Sequence, residues 1–114
     1  MAVVTKTELL SNFAVEAETV TGAGAISVTA PKTNLVTTGA NALTLAAPTV
    51  DGVVKVIRHA TDGGSGILAS TNIVGQSSGS TSITFTNAGD TLVLISVTGL
   101  GKWVVLKEVG VTPA

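Results

Sequence analysis

The sequence predicts an all-β fold, a single small β-sandwich or barrel of about eight short strands behind an N-terminal arm. Three observations carry this reading. From Gly22 onward, runs rich in Val, Ile, Leu and Thr are split by turn residues at intervals of roughly eight to twelve positions. Outside one short stretch near the N-terminus, no segment shows the i, i+3, i+4 apolar spacing of a helix. Finally, Thr91 to Val97 and Lys102 to Lys107 are two strand-length apolar runs joined by Thr98-Gly99-Leu100-Gly101. They read as a β-hairpin, with the two glycines offering the positive φ that short hairpin loops need.

Taken in order, residues 1–21 form the arm and residues 22–114 the β domain. The arm holds three of the four glutamates. Thr7 is a plausible cap for one or two helical turns, with Leu9, Leu10 and Phe13 on one face. Val15 to Thr21 then alternates in an extended pattern, which suits a frayed terminus, an edge strand, or an arm that docks on another protein and folds there. In the domain, Ala25 to Ala30 points Ile26 and Val28 inward, and Thr33 to Thr38 centres on Leu35. Ala42 to Ala46 places Leu43 and Leu45 on one face, and Pro48 to Gly52 is a turn ending in Asp-Gly.

Val53 to His59 splits into Val54 and Val56 on one face and Lys55, Ile57 and His59 on the other, so one face is expected to meet solvent or a polar interface. Ile67 to Ala69 is a brief strand, Ser70 to Ser80 a loop, and Thr81 to Thr86 a strand with Ile83 and Phe85 inward. In the hairpin, Leu92 and Leu94 face one way and Val93, Ile95 and Val97 the other. A strand apolar on both faces calls for a closed barrel or a neighbouring subunit. Val93, Ile95, Val97 and Trp103 are therefore the candidates for core or inter-subunit packing.

Composition narrows the function. The 114-residue chain is one domain's worth and has no cysteine, which removes disulfides, thiol catalysis and thiolate metal sites. Its charged fraction is 11%, against ~25% in ordinary soluble domains. The balance is Thr, Ser, Gly and Asn, a neutral, hydroxyl-rich surface suited to contact with other protein. Six scattered Lys and Arg do not make a nucleic-acid surface. No signal-peptide layout opens the chain, and no apolar run approaches the ~20 residues of a membrane helix. Synthesis in a cytoplasm, with no membrane partner, is the expectation.

No catalytic arrangement is expected. His59 is the only histidine and reads as a surface or interface side chain, not a base. Ser65, in Gly-Gly-Ser-Gly, lacks the strand-to-helix turn of a nucleophile elbow. Asp51, Asp62 and Asp90 sit in glycine-bearing turns; turn-building explains them better than calcium binding. Trp103 lies in an apolar strand, where packing outweighs stacking on a sugar. No metal or cofactor is expected.

Certain segments are familiar. Thr33-Asn-Leu-Val-Thr-Thr-Gly-Ala-Asn-Ala-Leu-Thr-Leu45, Asp51-Gly-Val-Val-Lys-Val-Ile57, Thr81-Ser-Ile-Thr-Phe-Thr-Asn-Ala-Gly-Asp-Thr-Leu-Val-Leu94 and Gly101-Lys-Trp-Val-Val-Leu106 resemble a β module of tailed-bacteriophage virion proteins. The chain looks like the capsid decoration (cement) proteins and related modules of phage head and tail fibres. The resemblance covers about Ser27 to Leu106. It implies a homotrimer on the outer capsid surface, a structural role with no enzyme activity or cofactor, and the major capsid protein as partner. Under that reading Val3, Val4, Leu9, Leu10 and Phe13 of the arm would contact the capsid, and Val93, Ile95, Val97 and Trp103 would pack in the trimer or core. The alternative is a tail-fibre or host-recognition module presenting Asp62 to Ser80 to a cell-surface glycan.

Overall fold

A computed structural model of the chain describes residues 17–77 and 81–114. Among these residues the chain forms eleven strands and no helix. They are β1 (Glu18–Thr21), β2 (Gly24–Ile26), β3 (Lys32–Val36), β4 (Asn41–Leu45), β5 (Val54–Thr61), β6 (Gly66–Ala69), β7 (Ile73–Val74), β8 (Ser82–Phe85), β9 (Thr91–Val97), β10 (Lys102–Val109) and β11 (Thr112–Pro113). The strands beyond those expected from the sequence are β1, β7 and β11, all short and all at sheet edges. β1 lies within the stretch assigned to the arm and takes its edge-strand alternative.

The strands make two sheets, one in the order β1-β3-β5-β9-β10-β7 and the other β11-β8-β6-β4-β2. From β1 to β9 each successive strand moves to the other sheet. Each odd–even pair is therefore one coil of chain laid on the coil before it. That is why β1, β3 and β5 pair in parallel, as do β2, β4 and β6. The stack then reverses: β8 runs antiparallel to β6, and β9 antiparallel to β5. Only β9 and β10 form a hairpin within one sheet, as the sequence predicts. Of its two turn glycines, only Gly101 uses positive φ (63°).

Close stacking at one corner depends on Gly63. A Cβ there would run into the Thr37 carbonyl, so the β5–β6 link packs directly on the β3–β4 link beneath it. One apolar core joins the two sheets, with Leu35, Leu43, Ile57, Leu68, Ile83, Phe85, Leu92, Leu94 and Trp103 fully or almost fully buried. The strand period of two places these residues inward wherever the sequence alternates. Trp103 belongs to this core, and its indole N–H donates to the Ala46 carbonyl at 2.9 Å.

One expectation needs correcting. His59 is fully buried, not a surface or interface side chain. The side of β5 carrying Lys55, Ile57 and His59 faces the core, and the valine side faces out. The register is fixed by pairing with β3 on one side and β9 on the other, which puts Ile57 opposite Leu92 on the core side. In β9, Leu92, Leu94 and Ser96 are buried, whereas Val93, Ile95 and Val97 are only half-buried. The arm candidates Val3, Val4, Leu9, Leu10 and Phe13 lie outside the described residues.

Candidate interaction surface

The outer side of the six-stranded sheet is built by register. Val74, Val104, Ile95 and Val54 stand side by side across β7, β10, β9 and β5. With strands spaced by about 4.8 Å, that apolar row is roughly 14 Å long. The neighbouring row reads Lys107, Val93, Val56 and Lys32 across β10, β9, β5 and β3. Val97 pairs with Lys102 at one end, and Thr91 with Arg58 at the other. Val54 and Val74 are exposed, while Val56, Val93, Ile95, Val97 and Val104 are half-buried. The site residues Val93, Ile95 and Val97 thus come together on this face, and Trp103 lies on the opposite side of the sheet.

Charge is segregated here. Of the described basic residues, Lys32, Arg58, Lys102 and Lys107 all border the valine face. The remaining one, Lys55, is buried beneath it. No described acidic residue stands in these rows. The result is an apolar centre with a cationic rim.

Beneath the sheet, Lys55 Nζ donates to the Ala30 carbonyl at 2.7 Å and to Thr33 Oγ1 at 2.8 Å. Thr33 in turn donates to Glu18 Oε1 at 2.6 Å, and the same oxygen accepts the Ser27 N–H at 2.8 Å. Glu18 Oε1 lies 3.8 Å from Lys55 Nζ. Burial strips water from the ammonium and lowers the Lys55 pKa from its ordinary 10.5 to about 8, with Glu18 opposing the shift. This chain of bonds fastens edge strand β1 to its neighbours.

A second buried group closes the stacked corner. Thr37 Oγ1 donates to the Gly64 carbonyl at 2.7 Å and accepts the Gly63 N–H at 2.9 Å. Its single proton is spent, so His59 Nε2, 2.9 Å away, carries the hydrogen and donates to it. His59 Nδ1 has no hydrogen-bond partner among the described residues. Held this way, the imidazole ties β5 to Thr37 at the corner where the β5–β6 link packs.

The aspartates build turns. Asp51 Oδ1 accepts the Thr98 N–H at 2.9 Å, Asp62 Oδ1 the Gly64 N–H at 3.0 Å, and Asp90 Oδ2 the N–H groups of Thr86 and Asn87, both at 2.9 Å. Among the described residues, no three His, Cys, Asp or Glu side chains gather as a metal site would require. An open cavity of about 280 Å³ is lined by Thr44, Leu45, Ala46, Ala69, Thr71 and Asn72. It has no charged side chain and no aromatic ring; Phe85 and Trp103 are both buried in the core.

Sequence reasoning missed the polar interior. Lys55, Thr33 and His59 sit at inward positions of the alternation, which is the one signal that could have placed them. The chain matches no protein-family model and no curated protein.

Proposed function

We propose that this is a non-enzymatic structural protein of a tailed-phage virion, decorating the assembled capsid as a homotrimer and bridging adjacent major capsid proteins. The observation that supports this is the cation-rimmed valine face, an outward apolar sheet surface of the kind other protein covers. In this reading the two sheets form a sandwich, and copies meet through Val93, Ile95 and Val97. The arm residues Val3, Val4, Leu9, Leu10 and Phe13 reach the capsid. The resemblance of Ser27 to Leu106 to phage decoration modules supports the same role. Trimerisation turns a modest single-arm affinity into firm attachment, because the second and third arms bind intramolecularly.

Co-sedimentation of the full chain with assembled shells of the major capsid protein encoded with it tests the reading. Saturable binding is expected, lost when Leu9, Leu10 and Phe13 are changed together to Ser. A trimer that ignores capsids but binds a cell-surface glycan on an array would replace it with the fibre-module reading. The cavity beside Thr71 and Asn72 would then be the first place to mutate.

A further inference from the structure

We infer that copies of this chain join head to tail, the Val50–Asp51–Leu100 corner of one copy seating on the cation-rimmed valine face of the next. The inference rests on the homotrimer reading and names the surfaces that make it.

A closed three-fold ring is heterologous, so each copy must offer two different, complementary patches. The valine face is one. It does not suit a copy of itself, because two-fold stacking would set Lys32, Arg58, Lys102 and Lys107 against the same four cations as apolar surface is buried. Its complement must be apolar and carry negative charge.

The corner where the β4–β5 link meets the β9–β10 turn has both properties. Among the described residues, Leu100 and Val50 are the two most exposed large apolar side chains, at 61% and 59%. Asp51 stands next to Val50, and its carboxylate is oriented by the Thr98 N–H at 2.9 Å. The corner is also firmly built. Buried Ser96 donates from Oγ to the Val50 carbonyl at 2.6 Å and accepts the Val53 N–H at 2.7 Å. Its own carbonyl accepts the Gly52 N–H at 3.0 Å. Two aliphatic side chains and an acid are thus presented by a loop pair already ordered, which reduces the entropy lost on docking. The match to the face is one of kind: aliphatic against aliphatic, carboxylate against ammonium and guanidinium.

Complementation between two full-length variants tests this, read as solution mass by light scattering. Leu100→Asp spoils the corner and leaves the face; Val74→Asp spoils the face and leaves the corner. Each alone is expected to be monomeric, and an equimolar mixture is expected to give a dimer through the one intact junction. Ile95→Asp serves as a second face variant, and Trp103 fluorescence checks that each variant is folded. Asp51→Asn keeps an oxygen for the Thr98 N–H and is expected to weaken association roughly two- to five-fold. A trimer unchanged by Leu100→Asp overturns the corner while sparing the homotrimer. Loss of association in both variants without complementation also overturns head-to-tail joining. Wild-type chain that is monomeric yet binds capsids overturns the inference and leaves the decoration role standing.

Discussion

Lys55 Nζ donates to Thr33 Oγ1 at 2.8 Å inside the core, where both side chains are fully buried on neighbouring parallel strands. A charged amine there is costly, and the cost is readable in pH. The folded pKa lies near 8, below the ordinary 10.5, so between these values the unfolded chain binds more protons than the folded one. Stability is therefore expected to be lowest below pH 8 and to rise toward pH 10.5. The full span is about 3 kcal/mol. Urea midpoints across pH 7–10 measure it. Lys55→Met should flatten the rise, and Glu18→Gln should move its onset to lower pH by removing the charge that favours the ammonium.

Thr37 is the hub of the stacked corner, bonded at once to His59, Gly63 and Gly64. Thr37→Val keeps the shape and removes every one of these bonds. Leaving such buried partners unsatisfied is expected to cost about 1–3 kcal/mol. Chemical denaturation gives the value, and Thr37→Ser, which restores the hydroxyl, should recover most of it.

Gly63 faces the Thr37 carbonyl with no room for a methyl group. Because the obstacle is backbone, Gly63→Ala must separate two coils, at about 1–3 kcal/mol. Gly99→Ala is the control: nothing lies within contact distance of a Cβ there, and its midpoint should stay near that of the wild type.

Leu94 and Ile95 are adjacent in sequence but sit on opposite sides of the six-stranded sheet, one fully buried and the other half-buried. Leu94→Ala should cost about 2–5 kcal/mol by opening the core. Ile95→Ala, measured at low protein concentration, should cost about 1 kcal/mol or less. Under the proposed homotrimer, the order should invert for association at higher concentration, with Ile95→Ala the more damaging to solution mass.

The all-β class, the β9–β10 hairpin and the inward positions of Leu35, Leu43, Leu45, Ile83 and Phe85 were legible in the sequence. These are local properties: strand geometry alternates side chains with period two, and turn residues mark where a run ends. Strand pairing was not legible, because β1, β3 and β5 lie side by side only after an intervening strand has passed through the other sheet. Nothing local distinguishes that coil from a series of hairpins.

The candidate surface divided the same way. Apolarity on both sides of Thr91 to Val97 could be read directly, but which side would remain open could not. That depended on Ile95 meeting Val54 and Val104 across the sheet while Leu94 met the core. The fate of Lys55 and His59 was likewise decided by partners far along the chain: Thr33, Glu18 and Thr37. Strand alternation follows from the backbone and was already present in the residue order. Which alternate face ended up buried depended on what the other strands brought against it, and that is a property of the folded chain.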